Sequence, residues 1–120
     1  MEKFVLHQKT YDFVLWVYPI INRLPKNHRL ILGGKLEQES LTLLTALIKA
    51  NNARGSTRKI FQKEGSDKLD LLRILMRLTK DTHMMSVKQY IEGTQRLNEI
   101  GRMLNFWMSK TKGTMESGKN

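Results

Sequence analysis

Met85-Ser86-Val87-Lys88-Gln89-Tyr90 predicts the start of a long helix, and the rest of the chain is interpreted outward from it. Ser86 and Gln89 match a capping box, in which each side chain accepts a hydrogen bond from the other residue's backbone N–H. Met85 is placed to pack on Tyr90 as a hydrophobic staple. Apolar or small residues then recur at the three- and four-residue spacing of a helical seam. They are Tyr90, Thr94, Leu97, Gly101, Leu104 and Met108.

Three further helical segments precede this one, with expected bounds of about 4–24, 29–53 and 66–83. Pro19 lies inside the first and predicts a kink there, because proline lacks a backbone donor. Gly33-Gly34 weakens the first turns of the second, unless a neighbouring element packs closely against them. Ser66 is a suitable N-cap for the third. The intervening residues 54–59 are interpreted as a basic connector.

Four helices of about 20 residues joined by short connections predict an all-α fold, an up-down-up-down four-helix bundle. The bundle domain is expected over residues 1–110, and the small and polar residues 111–120 are expected to form a flexible tail. Cysteine is absent, so disulfides and thiolate metal sites are excluded. The longest apolar run, Phe13–Tyr18, is too short to cross a membrane, and no leader pattern is present at the start. We therefore expect a soluble, cytoplasmic protein.

The formal net charge of +10 is unevenly distributed along the chain. Residues 49–80 carry nine basic and three acidic groups, and so hold +6 of that charge. Such a concentration favours nucleic acid or another polyanion as the partner. The alternative is that the charge only keeps the surface soluble.

Two groups of basic residues form the predicted nucleic-acid site. On the third predicted helix, Arg73, Arg77 and Lys80 fall within roughly 60° of one another and form a rigid basic ridge. The opposite side is expected to be buried through Leu71, Leu75, Leu78 and Thr82. The other group lies on or near the connector, where long side chains can follow a phosphate backbone. Its members are Arg54, Arg58, Lys59 and Lys63.

The first predicted helix is apolar over roughly 260° of its circumference. An ordinary bundle helix needs an apolar stripe only somewhat wider than about 100°. One bundle interior cannot bury the whole of this surface, so we expect a homo-oligomer. The expected interface residues are Tyr11, Phe13, Trp16 and Tyr18. The alternative is a tight bundle that tolerates exposed aromatic side chains.

No segment of the sequence matches a specific catalytic or cofactor-binding motif. Gly33-Gly34-Lys35-Leu36 lacks the Ser or Thr that follows the lysine of a phosphate-binding loop. No Glu-x-x-His pair is present for a di-iron bundle, and the three histidines are scattered. Arg77 and His83 have the loose spacing of HEPN ribonucleases, but Arg23 and His28 match it equally well. We expect no enzyme activity, no catalytic residue, no cofactor and no metal.

The order of several segments resembles the accessory variability determinant (Avd) family, over about residues 10–108. The segments on the first two helices are Tyr11-Asp12-Phe13-Val14-Leu15-Trp16, Leu24-Pro25-Lys26, Leu41-Thr42-Leu43-Leu44 and Ala50-Asn51-Asn52-Ala53-Arg54. Those on the last two are Leu72-Arg73-Ile74-Leu75-Met76-Arg77-Leu78, Ser86-Val87-Lys88-Gln89-Tyr90 and Gly101-Arg102-Met103-Leu104 with Trp107.

The resemblance implies a four-helix bundle that assembles as a pentameric barrel. It further implies a non-enzymatic accessory protein of a bacterial or phage diversity-generating retroelement. Such a protein binds the reverse transcriptase, together with RNA and possibly DNA, and supports mutagenic retrohoming. Three alternatives stay open: a four-helix-bundle protein of a 23S ribosomal RNA intervening sequence, a structural assembly protein, and a HEPN-like ribonuclease.

Overall fold

The computed structural model describes residues 2–116, with side chains described over 5–115. Four long helices account for most of this length: α1 (Glu2–Asn22), α2 (Gly34–Asn52), α3 (Gly55–Asp81) and α4 (Val87–Glu116). A short helical turn, Lys26–His28, and a π-helical segment, Arg29–Gly33, connect α1 to α2. No strand is present over 2–116, so the expected all-α class is confirmed.

The helices pack in chain order around one core. α1 packs against α2, α2 against α3, and α3 against α4, while α4 closes the bundle by packing against α1. Because the connections are short, successive helices run antiparallel. The resulting rod measures 52 × 23 × 20 Å. Its most deeply buried large side chains include Phe13, Leu36, Leu43, Leu72, Met76, Leu97 and Leu104.

The start of α4 matches the sequence prediction. The Ser86 backbone N–H donates to Gln89 Oε1 at 3.0 Å, and the Gln89 backbone N–H donates to Ser86 Oγ at 3.0 Å. Met85, the proposed staple residue, is buried just before the helix. A local pattern of side chains therefore suffices to define this boundary.

The connector predicted between the second and third helices is wrong. α3 begins at Gly55, so residues 55–59 are helical and Ser66 lies within the helix. Only the extended residues Ala53 and Arg54 separate α3 from α2. Gly55 adopts a φ of 57°, which costs a glycine little and turns the chain sharply. A tight turn replaces the predicted connector.

The end of the bundle also extends beyond the predicted boundary at residue 110. α4 continues to Glu116, and Thr111 is buried within the bundle. The Thr111 hydroxyl donates to the Trp107 carbonyl at 3.1 Å and accepts a hydrogen bond from Gln62 Nε2 at 3.0 Å. These contacts hold the last turns of α4 against α3. The remainder of the expected tail, residues 117–120, lies outside the described residues.

The two glycines before α2 serve different purposes. A Cβ on Gly33 would lie 3.1 Å from Ile21 Cγ2 and 3.3 Å from Leu24 Cδ1, so α1 packs closely against this backbone. Gly34 is exposed and makes no such approach. The expected close neighbour is therefore confirmed at Gly33 alone. The regular helix begins at Gly34, five residues later than expected, because the π-helical segment precedes it.

Candidate nucleic-acid interface and oligomer faces

The core-facing side of α3 differs from the predicted one. Leu72 and Met76 lie at the centre of the buried arc, which also contains Gly65, Leu69 and Thr79. Leu75 is buried as expected, but Leu78 and Thr82 are exposed. The buried arc is thus rotated by about one residue, or about 100°, from the predicted one. The basic ridge consequently flanks the core beside α4 and does not lie opposite it.

Arg73 connects α3 to α4. Its Nη1 lies 3.0 Å from Asp70 Oδ1, and its Nε donates to Asn98 Oδ1 of α4 at 3.2 Å. The guanidinium also lies across Gly101, where a Cβ would come within 2.7 Å of Nη2. Glycine at this position of the α4 seam leaves room for the arginine. Arg73 is therefore engaged in holding two helices together.

Arg77 and Lys80 share a carboxylate. Asp81 Oδ2 lies 3.6 Å from Arg77 Nε, and Asp81 Oδ1 lies 3.0 Å from Lys80 Nζ. The hydrogen bond from Lys80 is the main cause that lowers the pKa of Asp81. Lys80 Nζ also lies 4.8 Å from the centroid of the Tyr90 ring. The three cations of the ridge thus face two carboxylates, Asp70 and Asp81, which leaves a formal charge of +1 (three minus two).

The acidic partners were overlooked in the sequence, although their spacing is visible there. Asp70 precedes Arg73 by three residues and Asp81 follows Arg77 by four, and both spacings place side chains together on a helix. Lys63 likewise pairs with Asp67. Surface pairs of this kind are worth under about 1 kcal/mol each, so a phosphate can displace them, but at a cost.

A second group of cations lies where α2 ends, α3 begins and α4 makes its last turns. We name it the basic pole and define it by Lys49, Arg54, Arg58, Lys59 and Lys110. None of the five forms an ion pair with a carboxylate among residues 5–115. Three of them lie over aromatic rings instead. Lys49 Nζ is 5.7 Å from the Phe61 centroid and Lys110 Nζ is 4.8 Å from that of Phe106, and Arg58 lies over Trp107.

Arg58 organises the basic pole. Its Nε donates to the Ala50 carbonyl at 3.0 Å and its Nη2 donates to the Asn51 carbonyl at 3.3 Å. These carbonyls belong to the last turn of α2, where helical acceptors lack partners and a cation is favoured. The Arg58 guanidinium also lies 5.5 Å from the centroid of Trp107 on α4. One side chain therefore joins three helices.

Of the predicted site residues, the structure assigns Arg54, Arg58 and Lys59 to the basic pole and the other four to paired positions along α3. Lys49 and Lys110 were missed. Lys49 is the basic residue in the last turn of α2, and Lys110 was the final residue before the expected tail. The position of Lys49 beside the start of α3 depends on how α2 and α3 pack, and that of Lys110 beside Arg58 depends on how α3 and α4 pack. No local pattern reveals either.

The predicted interface residues divide between the core and the surface. Phe13 is fully buried within its own bundle, so its assignment to an oligomer interface is wrong. Trp16 is partly buried against α4, where the Arg96 guanidinium lies 5.7 Å from its centroid. Tyr11 and Tyr18 are each 51% exposed. The wide apolar arc of α1 is thus partly core and partly surface.

Two separate apolar faces remain exposed on the bundle. The first, which we name face A, combines residues of α1 and α2: Tyr11, Leu15, Tyr18, Leu41 and Ile48. The second, face B, lies on the outer side of α3 and comprises Ile60, Ile74 and Leu78. On face B, Ile74 and Leu78 are one turn apart, whereas Ile60 lies about 21 Å from Ile74 along the helix. Large apolar side chains exposed on one side of a helix are typical of a protein contact.

Among the described residues, no three His, Asp or Glu side chains are grouped closely enough to hold a metal ion. Arg77 lies on α3 and pairs with Asp81, whereas His83 lies beyond the end of the helix at a φ of 63°. None of the described helices has an apolar stretch of membrane-spanning length.

The architecture is that of a small, basic four-helix bundle with the five unpaired cations of the basic pole at one end. Four more cations without an ion pair among the described residues lie at the other end: Arg23, Lys26, Arg29 and Lys88. A family model described as bAvd-like matches residues 4–111, and the chain belongs to this family. The resemblance to Avd proteins that the sequence motifs indicated is thereby confirmed. A search of curated proteins found no match.

Proposed function

We propose that this protein is a non-enzymatic accessory protein of a diversity-generating retroelement, which binds the reverse transcriptase and nucleic acid to support mutagenic retrohoming. Membership of the bAvd-like family over residues 4–111 is the observation that carries the proposal. The net charge of +10 supports a polyanionic partner, for which we propose template RNA and its cDNA.

Within the proposed nucleic-acid site, the basic pole contributes most of the binding. Its cations have no carboxylate partner among the described residues, so a phosphate need not displace one. The four paired cations contribute less, because each must first break its ion pair with a carboxylate. They are Lys63, Arg73, Arg77 and Lys80. Arg77 is the most accessible of the ridge, with 73% of its side chain exposed. Recognition at both surfaces is electrostatic and follows the backbone of the nucleic acid.

The two apolar faces support assembly of the protein into a ring. Face A and face B differ in composition and lie on different helices, so contact between them joins unlike surfaces. Contacts between unlike surfaces repeat head to tail, and they close into a ring when the rotation permits. We propose such a homo-oligomer, with five subunits by resemblance to the family.

The proposal is tested with purified protein, a labelled template-repeat RNA and the reverse transcriptase encoded beside it. Co-elution of all three as one complex, with the RNA intact, is the expected result. Cleavage of the RNA would favour the HEPN-like alternative. Failure to retain both the RNA and the polymerase would favour a structural assembly protein. A gene located within a 23S ribosomal RNA gene, with no polymerase gene nearby, would favour the intervening-sequence alternative.

A further inference from the structure

A cleft opens at the basic pole between the start of α3 and the last turns of α4. Gly55 and Arg58 line it from α3, while Trp107, Lys110 and Thr111 line it from α4. Its volume is about 270 Å³. Pockets for drug-sized ligands begin at about 300 Å³, so this cleft accepts one small group and not a peptide or a helix.

The lining of the cleft is basic and contains no acidic side chain. Arg58 uses Nε and Nη2 on the carbonyls of α2, while its Nη1 has no acceptor among the described residues. Lys110 is exposed and has no acidic partner there. An arginine held in a fixed orientation, with Nη1 left to donate, suits a phosphate when a lysine lies beside it.

Trp107 supplies an apolar wall beside these cations. It is partly exposed, and the Arg58 guanidinium lies 5.5 Å from its ring centroid. Unpaired bases bind by stacking on aromatic rings and on arginine planes, while bases within a duplex are not available for such contacts. Gly55, which also lines the cleft, has no side chain to narrow it.

We propose that this cleft binds one unpaired nucleotide of a nucleic-acid strand, with its phosphate on Arg58 and Lys110 and its base against Trp107. The inference rests on the proposed nucleic-acid binding and adds to it a preference for single-stranded over duplex segments. A free nucleotide has the same chemistry, but a strand also gains from the other cations of the pole, Lys49, Arg54 and Lys59.

The test is a fluorescence titration with three probes: a single-stranded octaribonucleotide, the duplex of the same sequence, and adenosine monophosphate. Trp107 reports from the cleft itself. The other tryptophan, Trp16, packs at Gly93, about 21 Å away along α4 at 1.5 Å per residue. Lys110→Gln removes a cleft cation, and Lys88→Gln is the matched control, since Lys88 is an exposed lysine at the opposite end of the same helix.

The single strand is expected to change the tryptophan emission of the wild type but not that of Trp107→Phe. Lys110→Gln should weaken single-strand binding about tenfold, because the strand loses one charge-assisted hydrogen bond. Lys88→Gln should weaken it much less. The duplex should respond similarly to both variants. Adenosine monophosphate should bind far more weakly than the strand.

If the single strand binds tightly and Lys110→Gln and Lys88→Gln weaken that binding equally, the cleft does not bind a nucleotide. The proposed nucleic-acid binding of the protein would still hold. If adenosine monophosphate binds as tightly as the strand, the occupant of the cleft is a free nucleotide and the proposal of a bound strand is wrong. Absence of binding to every oligonucleotide would overturn both proposals. Circular dichroism of each variant establishes that the helices are intact.

Discussion

Replacing Gly93 of α4 with alanine should destabilise the bundle, although alanine is the better helix former. A Cβ at this position would lie 2.7 Å from Trp16 Cη2 and 2.9 Å from Trp16 Cζ3, and it would also clash with Met76 Cε. The methionine end can swing aside, but the indole ring is held between α1 and α4. Because two side chains must move, we expect the upper part of the overpacking range, about 2–3 kcal/mol, whereas the gain in helix propensity is about 1 kcal/mol. The net loss should be about 1–2 kcal/mol.

The assay for Gly93→Ala is urea unfolding followed by circular dichroism, with Gly113→Ala as the control. No atom lies within 4 Å of a Cβ at Gly113, which is also inside α4, so this variant should gain up to about 1 kcal/mol. A Gly93→Ala protein as stable as the wild type would contradict the predicted clash between a Cβ at this position and Trp16. It would mean that Trp16 is not packed within its own bundle, and Trp16 would return to the oligomer interface.

Two further predictions concern the α2–α3 contact and assembly. Glu39 is buried, with Lys68 Nζ at 2.7 Å and Lys35 Nζ at 3.2 Å, and the hydrogen bond from Lys68 is the main cause that lowers its pKa. The pKa of Glu39 is lower in the folded than in the unfolded state. The contribution of the ionised Glu39 to stability is therefore complete above the unfolded pKa and is lost as the pH falls through the folded pKa. Glu39→Gln should therefore lower the unfolding free energy by about 1–3 kcal/mol at pH 7 and by much less at pH 3. The measurement is urea unfolding at the two pH values, and an equal loss at both would contradict this prediction. Leu15→Glu combined with Tyr18→Glu, on exposed positions of face A, should yield a smaller species of unchanged helicity; light scattering that finds the variant the same size as the wild type would count against face A.

Parts of the fold are predictable because their causes are local. The start of α4 depends on Ser86 and Gln89, three residues apart, and both hydrogen bonds were readable in advance. The start of α3 depends instead on Arg58 reaching back seven and eight residues to the end of α2. A Gly-Ser-Thr sequence has the composition of a loop, and the contact of Arg58 across the turn favours a helix there.

The candidate site was predictable in composition but not in arrangement. The excess charge of residues 49–80 is plain in the sequence, yet the ridge part of it is offset by Asp70 and Asp81. The orientation of α3 was misjudged because Leu78 is apolar but exposed, while Gln62 is polar but buried against Thr111. Buried polar groups that hydrogen-bond across a helix interface, and apolar groups that stay exposed, both depart from a simple hydrophobic periodicity.

We propose that the protein binds nucleic acid mainly through the unpaired cations of the basic pole. The most direct measurement compares the salt dependence of single-stranded RNA binding for two double variants that each remove two cations. Arg54→Gln with Lys59→Gln changes the pole, and Arg77→Gln with Lys80→Gln changes the ridge. The slope of log K against log salt should fall by about 1.4 for the pole variant, at about 0.7 per phosphate contact, and by less than half of that for the ridge variant. A pole variant with the wild-type slope, or a ridge variant that loses as much as the pole variant, would contradict the account.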